Sequence, residues 1–211
     1  MTDSASRGDA VSGARDELFR SRFNSIAAIA IWVFCAAAVV TVMVYGQAGT
    51  VTYLAPIALV VFAAWMVLWR PCVLVSDDAV RLVNVTRTIE IPWPALIQVD
   101  TRFALTLRTP HGRYTASAAP APGRLNVARG GRDTTPGRVK FDGPARPSDL
   151  PTTDSGAAAW LVRDRWAKLS EAGRIELGVA ETTPVKRSWH WTSLALAAAM
   201  LVGSMLVLAL A

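Results

Sequence analysis

Few residues of this 211-residue chain are of types and spacings that do chemistry. Asp77 and Asp78 are adjacent carboxylates, a pair that could share general acid–base work. They sit between two short hydrophobic runs, however, where a strand-to-strand turn accounts for them more simply. His111 and His190 are the only histidines, and Cys35 and Cys72 the only cysteines. Their spacing suits no metal centre. Cys35 lies within a long apolar run and Cys72 just beyond another, in what reads as a reducing compartment, so no disulfide is expected. The chain has no glycine-rich phosphate loop, no nucleophile elbow and no His-Glu-x-x-His helix. The expectation is a protein that is not an enzyme, with no catalytic, cofactor-binding or metal-ligating residues.

Positive charge is the remaining chemical signal. Ala119–Thr153 holds six prolines and five glycines, a composition that cannot bury a core and reads as a long mobile loop. Its Arg124, Arg129, Arg132, Arg138 and Lys140 are candidates for contact with anionic lipid headgroups. Each basic side chain near an anionic leaflet contributes about 1 kcal/mol to such attraction. The plainer alternative is that these charges only keep a loop soluble. Aromatic residues do not interleave with them, so no nucleic-acid partner is expected.

The elements that would position these residues show in the distribution of charge. All 22 Lys and Arg and all 16 Asp and Glu lie outside two runs, residues 23–69 and 188–211. A helix needs roughly 20 apolar residues to cross a bilayer, so the first run is long enough for two helices and a turn. Gly46-Gln47-Ala48-Gly49-Thr50 marks the turn, with helices at about 24–45 and 51–69. A third helix is expected within 189–211. Trp69, Arg70, Lys186, Arg187, Trp189 and Trp191 cluster at one set of helix ends and read as membrane-interface anchors, with His190 among them. Tyr45 and Tyr53 flank the opposite turn. Lys and Arg concentrate in the N-terminal tail and the middle segment. The positive-inside rule then places both in the cytoplasm and the C-terminus outside. A cleaved signal peptide is disfavoured because the first apolar stretch exceeds a typical h-region. Ala195, Ala199 and Gly203 form a small-residue stripe that could pack against the other helices or another copy.

Residues 70–176 alternate apolar and polar residues between turn signals, as antiparallel strands with one buried face do. Strands are expected at Cys72–Val75, Ala79–Val85, Thr88–Trp93, Ala95–Thr101, Ala104–Thr109 and Arg113–Ala118, forming one compact curled meander. Ile89, Ile91 and Trp93 share a face, Ile97 and Val99 point inward, and Tyr114 pairs with Ala116. A helix at Gly156–Ala172, capped by Asp154 or Ser155 and ended at Gly173, should pack on the sheet. Ala158, Leu161, Val162, Trp166 and Leu169 share its apolar face. Trp160 and Trp166 are expected to be core or sheet-facing and not cofactor contacts, Arg165 snorkels at the edge, and Asp164 and Lys168 pair. Residues 1–22 read as a disordered tail and 177–188 as a linker.

This order resembles the bacterial pleckstrin-homology (PH) domain family, and more narrowly the small membrane proteins called low molecular weight protein antigen 6. The resemblance rests on Arg70-Pro71 leaving the second helix and on the strand and turn Val73-Leu74-Val75-Ser76-Asp77-Asp78-Ala79-Val80. It continues with Thr88-Ile89-Glu90-Ile91-Pro92-Trp93, then Ile97-Gln98-Val99, and the strand–turn–strand of Leu105–Arg113. Asp78-Ala79 replaces the commoner Asp-Gly, and the long loop and third helix are less usual. The resemblance implies a partly open barrel capped by a helix. It carries over no catalytic residue, although such folds often bind lipid headgroups or peptides. The expected architecture is a membrane protein of α+β class, with three transmembrane helices and a PH-like domain at the cytoplasmic face of the plasma membrane. Its expected role is a binding or scaffolding module, with the lipid bilayer, anionic headgroups or a membrane protein as partners. The alternative is an accessory subunit of an envelope transport or synthesis complex that acts through its helices.

Overall fold

The computed structural model describes residues 16–46, 48–120, 153–176 and 178–210. Arg124, Arg129, Arg132, Arg138 and Lys140 lie outside the described residues.

Among the described residues, eight strands form two sheets. In the five-stranded sheet β1 (Glu17–Phe19), β2 (Cys72–Val75), β3 (Ala79–Val83), β4 (Arg87–Pro92) and β8 (Lys186–Trp189) follow in that order. The second sheet is β5 (Gln98–Asp100), β6 (Ala104–Thr109) and β7 (Gly112–Pro120). All neighbours are antiparallel. The alternation seen in the sequence becomes cross-strand rungs. Val73, Leu82 and Ile89 are in register, as are Val75, Val80 and Ile91, and all six are buried. They face Leu105, Leu107, Tyr114 and Ala116 of the second sheet. The opposite face of the first sheet carries Leu74 and the charged Arg81, Glu90 and Lys186 in one row.

Helix α3 (Asp154–Glu171) closes the open side between the sheets with Ala158, Ala159, Val162 and Leu169. Burying a side chain the size of Val162 or Leu169 is worth about 1.5–3 kcal/mol, which helps to hold the helix in place. Its cap is Thr153, whose side chain accepts from the Gly156 N–H, and not Asp154 or Ser155. Gly173 ends it at φ +67°, and the Arg174 N–H reaches back to the Leu169 carbonyl. The Asp164–Lys168 pair forms at 2.6 Å.

Three apolar helical segments complete the chain. Helices α1 (Arg22–Tyr45) and α4 (Trp191–Leu210) are long and apolar enough to cross a membrane. Little of either is buried within the chain. The segment expected at 51–69 is divided. A 3-10 turn (Ala48–Tyr53) leads into α2 (Leu54–Ala64), which finishes in a π-helical turn (Trp65–Trp69). Its apolar helix, Leu54–Trp69, is shorter than the other two. Helix α2 packs against both α1 and α4. The Ala195, Ala199 and Gly203 stripe faces away from this packing: all three are exposed, and Ser204 is the buried residue of α4.

Several expectations are corrected. The stretch expected to be a tail contains β1, and Ser21 caps α1 by accepting from the Asn24 N–H. The stretch expected to be a linker contains β8, paired along β4 from Glu90 to Arg87. Neither strand alternates visibly, because each has three or four residues and lies at a sheet edge. Strand β3 stops at Val83, where Asn84 turns to hold β7: its Nδ2 donates to the Thr115 carbonyl and its Oδ1 accepts from the Ser117 N–H. Strand β5 is shorter than expected because Pro92 is followed by a 3-10 turn (Trp93–Ala95), which leaves Ile97 62% exposed.

Candidate functional site

The chain passes between helices and sheet three times, with almost no slack. Two residues separate β1 from α1, two separate the π turn from β2, and His190 alone separates β8 from α4. All three passages meet the same end of the five-stranded sheet, here called the near end. The far end holds Glu17, the Ser76–Asp78 turn, Pro92 and Lys186.

The near end is a belt of guanidinium groups on aromatic rings. Arg20 lies 4.9 Å over the Trp69 ring, and Trp69 contacts Trp32 at 5.3 Å between centroids. Arg70 lies 5.5 Å over Trp65 and donates to the Ser193 hydroxyl at 2.9 Å, tying the end of α2 to the start of α4. Arg87 lies 5.5 Å over Trp189, which stacks on Trp191 at 5.8 Å. The π turn widens the helix end by one residue, with the Arg70 N–H bonding the Trp65 carbonyl. The Trp32 indole donates to the Val61 carbonyl. His190 Nε2 lies 2.9 Å from the Thr88 hydroxyl. Burial pushes the His190 pKa down and the Arg70 charge adds to this.

Of the expected anchors, Trp69, Arg70, Trp189 and Trp191 converge here. Arg187 does something else: it donates to the Tyr114 hydroxyl at 2.6 Å and joins the two sheets. Lys186 lies toward the far end, 3.9 Å from Glu90. Arg20, Trp32 and Trp65 belong to the belt although their local sequence does not single them out. A usable signal was the spacing of Trp65 and Trp69, four residues apart on one helix face beside Arg70.

The far end uses carboxylates. Arg165 does not snorkel. Its side chain is only 12% exposed, and it donates to Asp77 at 2.6 Å and Glu17 at 2.7 Å. Arg174 adds a second contact to Asp77 at 2.8 Å. The Trp93 indole donates to the Ser76 carbonyl of the same turn. Asp77 is therefore more than a turn residue. The hydrogen bond from Arg174, with help from Arg165, holds its carboxyl below the usual range. This node fastens β1 and the β2–β3 turn to α3.

Concave surfaces lie among the described residues of the domain. One, of about 280 Å³, runs between β5 and α3 and is lined by Leu96, Ile97, Val99, Arg163 and Trp166. A second, of about 560 Å³, lies where β1, α1 and α3 begin or end together and includes Trp160. Trp160 and Trp166 are 45% and 37% exposed, so both stand at these surfaces and not in the core. The helix turns Ala158, Ala159, Val162 and Leu169 inward. Cys35 and Cys72 are free thiols. Burial raises the pKa of the Cys72 thiol, against the pull of the Arg20 charge. Among the described residues no cluster of His, Cys, Asp or Glu could hold a metal ion.

Residues 70–148 match the family model described as a bacterial PH domain, over less than half of the chain. No curated protein and no solved structure matches the chain. From β2 through β7 and beyond, the chain is thus similar to bacterial PH domains, and its two sheets with a helix across their open side form a PH-like domain.

Proposed function

We propose that this chain is a non-enzymatic, multi-pass protein of the plasma membrane that holds a PH-like binding or scaffolding domain against the cytoplasmic face. The observation that carries this is the junction: three passages between sheet and apolar helices, each of one or two residues, at one end of one sheet. A domain so attached cannot swing on a tether. It is a rigid extension of the helices, and its near end lies in the headgroup layer. The guanidinium and indole groups gathered there suit that layer, where rings prefer the interface and cations meet anionic lipid. The finer likeness to the low molecular weight protein antigen 6 proteins belongs to this proposal and rests on the Pro92-Trp93 turn and the strand order after Arg70.

Fusing a reporter behind α4 tests the topology. Extracytoplasmic activity is expected there, and cytoplasmic activity when the reporter is inserted at the His111 turn. The reverse pattern would sink the proposal. The groove beside Trp166 is the surface offered to a protein partner, since it is concave, partly apolar and remote from the near end. Crosslinking from Ile97 in native membranes should capture a partner that crosslinking from Arg81, on the polar face, does not.

A further inference from the structure

The second concave surface contains both signs of charge in a small space. Arg20 and Arg22 line it with Asp154, Thr153, Trp160 and Leu18. Its volume of about 560 Å³ falls within the range of roughly 300–1,000 Å³ typical of small-ligand sites. Arg22 makes no hydrogen bond or ion pair among the described residues, and the buried Nε of Arg20 also has no partner among them. Asp154 accepts from the Ser21 hydroxyl through Oδ2 at 2.5 Å, which fixes its position between the starts of α1 and α3. The half-exposed ring of Trp160 lines the same pocket. Arg22, whose donors are unused, stands with the Arg20 charge in one pocket, a setting that suits an anion such as a phosphate. A carboxylate and an indole lining the same pocket suit a cation. The apolar run of α1 begins at Phe23, one residue after Arg22, so the pocket opens at headgroup depth.

We propose that this pocket takes the headgroup of one phospholipid carrying both a phosphate and a primary ammonium, with the phosphate on Arg20 and Arg22 and the ammonium between Asp154 and Trp160. This rests on the reading that α1 spans the bilayer. It goes beyond general attraction to an anionic leaflet, because a purely anionic headgroup would leave Asp154 facing negative charge.

The test uses the full chain purified in detergent and offered an equimolar mixture of ethanolamine and glycerol phospholipids with identical acyl chains. Native mass spectrometry reads which lipid is retained. One ethanolamine lipid per chain is expected in preference to the glycerol lipid. Arg22→Gln should lower retention of both by about ten-fold, the loss of one charge-assisted hydrogen bond. Asp154→Asn should keep retention but abolish the preference, since the amide still accepts from Ser21. Equal retention of the two lipids by the unmodified chain, or preference unchanged in Asp154→Asn, overturns the proposal. Lipid should stay bound in an excess of free phosphoethanolamine; full displacement would assign the pocket to a soluble phosphoamine instead. A chain that stays in solution without detergent would refute the spanning reading. A chain that needs detergent but shows no headgroup preference would refute the pocket alone.

Discussion

The two ends of the five-stranded sheet both depend on arginine, but they give it different partners. At the far end Arg165 is nearly buried between two carboxylates, with Arg174 on one of them. At the near end Arg20, Arg70 and Arg87 lie on indole rings. A guanidinium held by two carboxylates has its charge answered within the protein. One that lies on a ring is only partly answered, and its edge remains able to donate. The far end closes on itself, whereas the near end keeps guanidinium edges that can donate further.

Removing the central groups of each end should expose this difference. Arg165→Ala should cost the most, about 3 kcal/mol, because two carboxylates lose their partner and the group lost was largely buried. Chemical unfolding of the detergent-solubilised chain would measure it. Arg165→Lys should recover only part of the loss, since an ammonium cannot fork between Glu17 and Asp77. A loss below that of an exposed ion pair would mean that the far end is not a closure.

Asp77→Asn should cost less than Arg165→Ala at pH 7, and its effect should depend on pH. The native pKa of Asp77 is depressed, so its pairing stabilises the fold above the unfolded value of about 3.9. That contribution fades as pH falls through the lower native pKa. Stability of the parent and variant should therefore converge in acid and separate toward neutrality. Parallel curves across that range would contradict the assignment.

At the near end, Trp69→Leu keeps apolar bulk but removes the ring under Arg20 and beside Trp32. A loss of about 1 kcal/mol is expected, from one aromatic pair and one cation–π contact. Lipid retention should change more clearly than stability does, because Arg20 loses its support. Smallest of all should be Arg81→Ala, which breaks a 2.8 Å pair with Glu90 on the polar face, where Arg81 is half exposed. About 0.5 kcal/mol or less is expected in thermal unfolding. If Arg81→Ala matched Arg165→Ala, distance alone and not burial would set the value of these pairs.

Much of this was legible locally. Ile89, Ile91 and Trp93 alternate over a stretch long enough to declare a buried face, and all three are buried. Gly173 follows an amphipathic run and does end α3. Strand β6 appears at its expected limits for the same reason, six alternating residues, and β2 as a short apolar run closed by the Ser76–Asp78 turn. The short edge strands were not legible. Glu17–Phe19 and Lys186–Trp189 have no period to read, and their conformation comes from the neighbours to which they bond. Trp160 and Trp166 were misassigned because hydrophobicity ranks an indole above an alanine, whereas the helix turns Ala158, Ala159, Val162 and Leu169 inward.

By itself the sequence determined the two charge-free runs, the alternating middle segment and the amphipathic helix. These follow from composition and period, which act within a few residues of the chain. Only the tertiary structure decided that Arg165 meets Glu17 and Asp77, and that Arg20 lies on Trp69. It also decided that both edges of the sheet continue into apolar helices. Those contacts join positions as far as 148 residues apart, and the rotation of a helix or the pairing of an edge strand sets them. Such pairings have no signature in the neighbouring residues, because the free energy that selects them comes from surfaces brought together only when the chain has folded.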